Sequence, residues 1–425
     1  MSLVLLHWVL WVLCAPTAMA FPPGIQKRSF QLDRIKNPHF RHHNGPRQLV
    51  KAYQKYRMPI PQDLLDALGG NVESGGLSPG RQPASVNGFH AGETDGTSTG
   101  RVPATPANDG VEYISPIQVG GQTIHVAIDT GSADLWVFSV LLPPFAWGGH
   151  NIYDPALSPT SKMLSNASFS IVYGDGTHAS GAVALDTVDV GGAVVRDQAV
   201  QMAAWASSAF ILDMHLSGLL GLAFSKLNTV KPVRQTTFFE NVMPTLAEPL
   251  FTADLPQEGV GAYEFGHINS SRFAGPLAWI PANTARGFWE VSTAGFRVAN
   301  GSYKPVSKAS AIVDTGTTLL LVSKELVDDY YSYVPGAQTR PMYGGVTFPC
   351  NATLPDLWLD VEDAYRARIR GSDINFGPIN DELCFGGIQP TTSHVQIWGD
   401  IFFRSQFVVF HGGNRSLGMA PALRG

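Results

Sequence analysis

The sequence reads IHVAIDTGSADLWVFS at residues 124–139 and AIVDTGTTLLLV at residues 311–322. In each stretch, an apolar run typical of a buried strand leads directly into Asp-Thr-Gly, and a second apolar run follows. The two motifs lie 185 residues apart. A single Asp-Thr-Gly is often only a turn, but two copies in the same apolar context indicate a duplicated unit that brings Asp129 and Asp314 together.

A second element repeats with similar spacing in both halves. Leu219-Leu220-Gly221 ends 92 residues after the first aspartate, and Ile397-Trp398-Gly399 ends 85 residues after the second. The 425-residue chain is 44% hydrophobic and contains 44 Gly and 30 Pro, so turns punctuate its short apolar runs and long helical patterns are scarce. These features predict a mostly β protein of two duplicated lobes with few short helices.

Two aspartates placed together in this way can hydrolyse a peptide bond without a metal ion. Like charges a few ångströms apart cannot both ionise, so one carboxyl group keeps its proton as an acid while the other acts as a base. In each motif the threonine hydroxyl can tie the two turns together, the glycine allows close backbone approach, and the next hydroxyl can donate to the outer carboxylate oxygen. The predicted supporting residues are Thr130, Gly131, Ser132, Thr315, Gly316 and Thr317.

The N-terminus has the pattern of a signal peptide. An apolar stretch runs into the small-residue sequence Ala18-Met19-Ala20, although no Lys or Arg precedes it, which leaves a retained membrane anchor as the alternative. No later segment has the roughly 18 to 20 consecutive apolar residues that span a bilayer. We therefore expect residues 1–20 to be removed and the product to be secreted, with no membrane partner.

A secreted protein is expected to form disulfide bonds and to be glycosylated at suitable asparagines. Cys350 and Cys384 are the two cysteines after residue 20, and we expect them to form a disulfide rather than to remain buried free thiols. Five Asn-X-Ser/Thr sequons are candidate glycosylation sites, at Asn166, Asn269, Asn300, Asn351 and Asn414. The sequence thus predicts a disulfide-bonded glycoprotein.

Charge separates a basic leader from an acidic body. Residues 21–60 contain nine Lys or Arg and one acidic residue, whereas residues 101–425 contain 19 basic and 28 acidic residues. The intervening stretch is rich in Gly, Ser, Thr and Pro and is typical of a protease-accessible linker. A basic arm can bind nucleic acid, but a secreted protein is not expected to meet any, so we favour a leader docked on the acidic body.

The chain resembles the pepsin-like aspartic endopeptidases of family A1, in particular secreted fungal enzymes of the penicillopepsin and aspergillopepsin type. The resemblance covers about residues 106–421 and rests on DTGSADLWVFS (129–139), YGDG (173–176), SGLLGLAF (217–224), VDTGTTL (313–319) and IWGDIF (397–402). It implies a bilobal, mostly antiparallel β fold with a central cleft that takes an extended peptide. The implied division is a signal peptide at 1–20, a pro-segment with linker at 21–100, an N-terminal lobe with a flap at 101–300, and a C-terminal lobe at 301–425.

The resemblance also implies roles for individual residues. Asp129 and Asp314 match the catalytic pair. Tyr173 matches the tyrosine of a flap that closes over substrate, with Gly174 next to it and Trp136 as the hydrogen-bond partner.

Three further positions match residues that contact substrate. Phe210 and Leu219 match apolar positions of the pocket for the residue before the cleaved bond, and plain core packing is their alternative role. Asp175, at the flap tip, can accept a substrate lysine or can simply form the turn. The resemblance therefore implies cleavage after large hydrophobic residues and also after Lys.

For the leader, the resemblance implies an inhibitory pro-segment whose lysine pairs with both catalytic aspartates. The candidate is Lys55-Tyr56, ahead of Lys51 and Lys36. Falling pH should protonate carboxylates and weaken the leader's salt links. We then expect a cut between about residues 69 and 107, near Arg101, to release the enzyme.

The expected function is that of a secreted endopeptidase, made as a zymogen, that hydrolyses proteins at acidic pH. Protein and peptide substrates and pepstatin-type inhibitors are its expected partners, the protein is expected to be a monomer, and no cofactor or metal is expected. A pepsin-like binding protein without catalysis would be expected to lack an Asp-Thr-Gly, the flap tyrosine or the pro-segment. A carbohydrate-binding β protein is suggested only by 9 Trp and 12 Tyr and gives the paired aspartates no role.

Overall fold

A computed structural model describes residues 44–69, 98–107, 110–173 and 177–424. The helices of these residues are short: α1 Gly45–Lys55, α2 Gln62–Ala67, α3 Ser208–Leu212, α4 Phe238–Val242, α5 Lys324–Ser332, α6 Gly371–Ile374 and α7 Asp400–Phe403. The strands up to residue 281 are β1 Gly100–Ala107, β2 Glu112–Val119, β3 Gln122–Asp129, β4 Leu135–Phe138, β5 Lys162–Val172, β6 His178–Val190, β7 Ala193–Ala206, β8 Gly218–Gly221, β9 Leu250–Asp254, β10 Gly261–Phe265 and β11 Ala278–Pro281. The later strands are β12 Glu290–Val298, β13 Lys304–Val313, β14 Leu320–Val322, β15 Gln338–Arg340, β16 Gly345–Pro349, β17 Leu357–Val361, β18 Tyr365–Ile369, β19 Asn375–Pro378, β20 Leu383–Gly386, β21 Ile388–Pro390, β22 Val395–Trp398, β23 Gln406–His411 and β24 Ser416–Pro421.

The strands form three sheets. The largest has 13 strands in the order β11-β24-β23-β9-β10-β1-β2-β3-β8-β4-β7-β6-β5. A seven-stranded sheet has the order β18-β17-β12-β13-β22-β14-β21, and a four-stranded sheet has the order β15-β16-β20-β19. Most neighbouring strands are antiparallel, which confirms the predicted mostly β fold with few short helices.

The duplication predicted from the two motifs is visible in the strand pairing. In the first half, β3 runs parallel to β8, β8 is antiparallel to β4, and β4 is parallel to β7. In the second half, β13 runs parallel to β22, β22 is antiparallel to β14, and β14 is parallel to β21. The Leu-Leu-Gly and Ile-Trp-Gly elements lie on β8 and β22, so each matching element lies next to the strand that ends in its own Asp-Thr-Gly.

The sheets do not follow the division at residue 300 that the sequence suggested. The β12 strand begins at Glu290 and pairs within the seven-stranded sheet, while β23 and β24 return to the 13-stranded sheet beside β9 and β11. Pairing of the last strands with strands about 150 residues earlier in the chain leaves no local pattern in the sequence. The residue ranges given for the two lobes stay a prediction.

Side chains close in sequence cap two of the short helices, and a disulfide closes one loop. Thr237 caps α4 by accepting a hydrogen bond from Glu240 N, and Ser323 caps α5 in the same way. The predicted disulfide between Cys350 and Cys384 is present. Closing a loop of 34 residues stabilises the fold by about 3 to 4 kcal/mol in the chain-entropy model.

The leader residues 44–69 pack on the body mainly through α1, α2 and the turn between them. Leu49, Val50, Tyr53 and Leu64 are almost fully buried. They belong to one apolar cluster with residues of the body, namely Ile312, Leu319, Leu321, Phe376, Phe385 and Ile397. These partners come from the second half of the chain, so the leader is anchored on that side.

The structure describes the predicted glycosylation sites but not the predicted signal peptide. The sequon asparagines at 166, 300, 351 and 414 are exposed, and Asn269 is half-buried. Among the helices that the structure describes, none is long and apolar enough to cross a membrane. The predicted signal peptide at residues 1–20 and the candidate Lys36 lie outside the described residues.

Candidate active site

Asp129 and Asp314 lie at matching places in the two halves. Asp129 is the last residue of β3 and is paired with Gly221 of β8. Asp314 directly follows β13, and its backbone N–H donates to the carbonyl oxygen of Trp398, 3.0 Å away. Both carboxylates are buried, with 1% and 0% of the residue exposed. Two buried acidic groups at the ends of duplicated strands are costly unless they are paired or share a proton.

The two threonines of the motifs bind each other's turns. Thr130 N donates to Thr315 Oγ1 at 3.1 Å, and Thr315 N donates to Thr130 Oγ1 at 3.0 Å. Each hydroxyl then donates to a carbonyl of the opposite half, Thr130 to Val313 at 2.9 Å and Thr315 to Ile128 at 2.8 Å. Both hydroxyl groups are thus used as donor and acceptor, which fixes the separation of the two aspartate turns.

The two glycines hold the carboxylates and let the turns approach. Gly131 N donates to Asp129 Oδ1 at 2.8 Å, and Gly316 N donates to Asp314 Oδ1 at 2.9 Å. A side chain at Gly131 would overlap the Asp314 carboxylate, and one at Gly316 would overlap that of Asp129. Glycine is therefore required here by the close approach of the other half.

The hydroxyls that follow the glycines are not equivalent. Thr317 Oγ1 donates to Asp314 Oδ2, as the sequence suggested. The matching bond from Ser132 was a wrong expectation, because its buried Oγ has no hydrogen-bond partner among the residues described. Asp129 is instead held through Oδ1, by Gly131 N–H and by the ammonium group of Lys55.

The leader places Lys55 and Tyr56 on the two aspartates. Lys55 ends α1, and its Nζ lies 2.8 Å from Asp129 Oδ1 and 2.9 Å from Asp314 Oδ2. The Tyr56 hydroxyl donates to Asp314 Oδ2 at 2.7 Å. Lys51, the other described candidate, forms no ion pair with either aspartate within the described ranges. One lysine therefore neutralises much of the charge of the pair.

Electrostatics separates the two carboxyl groups. Burial raises the pKa of Asp129, the negative charge of Asp314 adds to this rise, and Lys55 opposes it. Burial would also raise the pKa of Asp314, but the charge of Lys55 and hydrogen bonds from Asp129, Thr317 and Lys55 lower it to about 2. The pair thus has one ionised member and one that keeps its proton more readily, which is the condition for joint acid and base action.

A cavity of about 430 Å³ lies beside the pair. Its lining includes Gly131 and Tyr173 from the first half, Ile312 from the second half, and Lys55 and Tyr56 from the leader. The leader and the turn that follows Asp129 therefore line the same cavity.

An aromatic cluster borders this space. Trp136 Nε1 donates to the Tyr173 hydroxyl at 2.5 Å, and the Phe210 ring lies 5.0 Å from Trp136 and 5.4 Å from Tyr173. Leu219 is buried in the same apolar cluster. The structure thus brings together the four described residues of the predicted flap and pocket. Gly174 and Asp175 lie outside the described residues.

One buried carboxyl group near the site was not singled out in the sequence. Asp134 is 1% exposed, and its Oδ1 accepts hydrogen bonds from Thr229 N at 2.9 Å, from Thr229 Oγ1 at 3.0 Å and from Asn228 Nδ2 at 3.1 Å. Burial raises the pKa of Asp134 to about 6, although these hydrogen bonds act to lower it. The sequence offered one signal for this group, namely a charged residue directly before the apolar run of β4, where a buried carboxyl group needs hydrogen-bond partners.

Asp134→Asn should stabilise the protein at neutral pH and change little in acid. A raised carboxyl pKa stabilises the fold below the ordinary value of 3.8, and this contribution is lost as pH rises through about 6. The variant keeps an oxygen for the three donors but cannot ionise, so we expect the free energy of unfolding at about pH 7.5 to rise by roughly 3 kcal/mol. Chemical unfolding at about pH 4 and pH 7.5 tests this, and an equal change at both values would contradict it.

Comparisons with known proteins agree with this geometry. The eukaryotic aspartyl protease family matches residues 112–422. The chain is 42% identical over 403 residues to aspartic protease PEP3 of Coccidioides posadasii (strain C735), covering 92% of this chain and 89% of that protein. It is 41% identical over 399 residues to penicillopepsin-3 of Penicillium janthinellum, covering 93% of each. Identity to endothiapepsin of Cryphonectria parasitica is 40% over 405 residues, covering 94% of this chain and 91% of that protein.

These matches include both Asp-Thr-Gly turns and every strand from β2 to β24. Similarity of this extent fits the two-fold strand pairing and the carboxylate pair described above. The chain therefore belongs to the eukaryotic aspartyl protease family and is a pepsin-like aspartic endopeptidase.

Proposed function

We propose that the protein is a secreted aspartic endopeptidase that is made as an inactive precursor and cleaves proteins at acidic pH, with Asp129 and Asp314 as its catalytic pair. The observation that carries this proposal is the ammonium group of Lys55 held between the two carboxylates. A basic residue of the leader in this position would block the groups that the reaction needs, which supports the proposal of an inactive precursor.

Release of the leader would make the position of Lys55 available to water. Its Nζ lies within 2.9 Å of an oxygen of each aspartate, so a water molecule there would be within hydrogen-bond reach of both. The ionised carboxylate takes a proton from this water as it attacks the peptide carbonyl carbon, and the protonated carboxyl group gives its proton to the carbonyl oxygen. As the C–N bond of the tetrahedral intermediate breaks, the carboxyl group that took the proton from water gives it to the leaving nitrogen, and the other carboxylate takes back a proton from a hydroxyl group of the intermediate. This route needs no metal or cofactor.

The leader has two kinds of contact that support an inhibitory role. Its charged end neutralises the aspartates, while α1 and α2 contribute apolar side chains to the body. Backbone contacts add to these, because Tyr53 OH donates to Pro390 O at 2.5 Å and Thr392 Oγ1 donates to Pro59 O at 2.6 Å. Weakening the ion pairs alone leaves the apolar contacts, so we propose that a cut in the linker completes activation.

We place the activating cut before Ser98. The predicted position near Arg101 falls in β1, which pairs with β10 on one side and with β2 on the other. Arg101 also donates its backbone N–H to Gly191 O at 2.9 Å and forms an ion pair with Glu264. A protease needs an extended, accessible chain, and a paired interior strand does not offer one. The proposed range is therefore 70–97, which lies outside the described residues.

We propose that substrate preference covers large hydrophobic residues and Lys before the cleaved bond. In Asp175→Ser, kcat/KM for a peptide with Lys at this position should fall by about tenfold or more, because a charge-assisted contact contributes about 1.5 to 3 kcal/mol. Cleavage of the matched peptide with Phe should stay the same and serves as the control. Undiminished cleavage after Lys would show that Asp175 only forms the turn.

Secretion, glycosylation at the five sequons, a monomeric state and inhibition by pepstatin-type compounds complete the proposal. The exposed sequon asparagines, the disulfide and the lack of a spanning helix among the described residues support it.

The test is acid activation of the full-length secreted chain. The purified protein is brought from about pH 7 to about pH 3.5, and intact mass and cleavage of a peptide are followed together. We expect a loss of mass that places the new N-terminus between residues 70 and 98, accompanied by the appearance of pepstatin-sensitive hydrolysis. Full activity in the uncut chain at neutral pH would contradict the proposed precursor.

A further inference from the structure

His150 holds a short segment of the pocket wall through both nitrogen atoms of its ring. The His150 Nδ1 lies 3.0 Å from the carbonyl oxygen of Leu216, and Nε2 lies 2.9 Å from the carbonyl oxygen of Ile211. A carbonyl oxygen only accepts hydrogen bonds, so each ring nitrogen must donate. A neutral imidazole has a single N–H, whereas an imidazolium has two. Both contacts are therefore hydrogen bonds only when the ring is an imidazolium.

The segment held by His150 carries Phe210. It consists of α3 and the turn up to Leu216. At its start, Ser207 exchanges hydrogen bonds with His178. At its end, the N–H of Ser217 donates to His125 O. The two bonds from His150 fall between these ends. Leu212 and Met214 in the same stretch are 75% and 61% exposed, so the packing of the segment rests on the buried Phe210 and Leu216.

The His150 ring is itself fixed from the other side. It packs on Phe138 of β4 with 4.3 Å between ring centroids, and the neighbouring Asn151 N donates to Ser217 Oγ at 3.0 Å. The titratable groups in the elements packed around it are Asp213 and His215 in the segment and His125 on β3. No carboxylate lies within ion-pair distance of His150 among the residues described. The two carbonyl groups are thus its polar partners.

We propose that His150 is a positioning residue for the substrate pocket and that, as an imidazolium, it clamps the Phe210 segment against the flap tyrosine. When the ring is neutral, one of the two bonds is lost and the segment loosens. Protonation supplies the second ring N–H, so the clamp is complete only in the charged form of the ring. The proposal rests on the proposed function in one respect, namely that Phe210 lines the pocket for the residue before the cleaved bond.

Hydrogen exchange tests the clamp without using activity. The full chain carrying Asp129→Asn, with and without His150→Gln, is compared at about pH 4 and about pH 7.5, with intrinsic exchange rates corrected for pH. Glutamine can donate to a carbonyl but carries no charge. We expect His150→Gln to lower protection of the Ile211, Asp213 and Leu216 amides by about tenfold or more at pH 4 and to have little effect at pH 7.5.

A matched control and a specificity measurement complete the test. His411→Gln, which changes a histidine packed on Trp279 in the 13-stranded sheet, should leave protection of this segment unchanged. In the active protein at about pH 4, His150→Gln should lower the preference for Phe over Ala before the cleaved bond by about tenfold, through KM rather than kcat.

The possible results distinguish a failure of the His150 proposal from a failure of the proposed catalytic pair. Equal loss of protection at both pH values would mean that the ring only fills space, and unchanged protection at pH 4 would mean that it holds nothing; either result overturns the proposal. Peptide hydrolysis or self-cleavage by the Asp129→Asn chain would instead overturn the catalytic assignment and would leave the exchange comparison valid.

Discussion

Asp314→Asn should abolish peptide hydrolysis, with kcat reduced by at least about 10⁴-fold. Asparagine has nearly the same shape, its oxygen can accept from Gly316 N–H, and its NH2 group can donate to the Thr317 hydroxyl in place of the present bond, so the turn should stay folded. What it removes is the ionised carboxylate that accepts a proton from water, which an amide cannot replace. Because the variant is not expected to process itself, both it and the parent protein are cut in the linker by an added protease before kcat and KM are measured.

Asp129→Asn should have an effect of the same size, and the double variant should be no worse than either single variant. Two groups that act as one unit give non-additive losses, because removing either one already removes the joint acid and base function. Asp197→Asn changes an exposed aspartate that is paired with Lys162, and it is the matched control that should leave kcat unchanged. A single variant with more than about one tenth of the parent activity would refute the catalytic pair.

Lys55→Met should release the leader far more easily than any other change in it. Methionine keeps most of the side chain's volume but leaves two buried carboxyl groups without their cation, and breaking a buried ion pair in this way costs about 3 to 5 kcal/mol. Leader docking should therefore weaken by about 10² to 5 × 10³-fold, and the linker should be cut at a higher pH than in the parent protein.

The control for this variant is Lys51→Met. It removes the same charge one helical turn earlier on α1, at a residue that is not paired with the aspartates. The half-time of the mass change after a pH jump is measured for all three proteins. Equal behaviour of the two variants would mean that net charge of the leader, and not the contact of Lys55, controls docking.

The pH dependence of the parent protein follows from the two carboxyl groups, which act in opposite senses. The lowered pKa of Asp314 stabilises the Lys55 contact above the ordinary value of 3.8, and this contribution is lost as pH falls towards about 2. The raised pKa of Asp129 favours its protonated form in the docked state, so its contribution is present in acid and is lost as pH rises. Protonation of Asp314 should therefore make the release of the leader faster as pH falls from about 3.8 to about 2. A rate of leader release that peaks above about pH 5 would contradict this prediction.

The sequence predicted those parts of the site that repeat or that lie next to each other in the chain. Asp129 and Asp314 follow matching strands, so the duplication itself implied that they meet. Thr130 and Thr315 were expected to tie the turns for the same reason, and the structure places them in reciprocal hydrogen bonds. Lys55 was chosen from a basic stretch by resemblance, and the structure places it on both aspartates.

Other features depend on contacts that no local pattern reveals. Ser132 and Thr317 are equivalent in the sequence, yet Thr317 donates to Asp314 whereas the Ser132 hydroxyl has no hydrogen-bond partner among the described residues. The two carbonyl partners of His150 come from a segment more than 60 residues away, so its role could not be read from the residues around it. The return of β23 and β24 to the large sheet was missed for the same reason.

That return has a consequence for the order in which the protein is made. The β9 strand pairs with β10 on one side and with β23 on the other, so its second edge stays unpaired until residues 406–411 leave the ribosome. An unpaired edge strand is a site of aggregation, and domains ordinarily begin to fold during synthesis. The first half of this chain therefore keeps one unpaired strand edge until the last strands have been made.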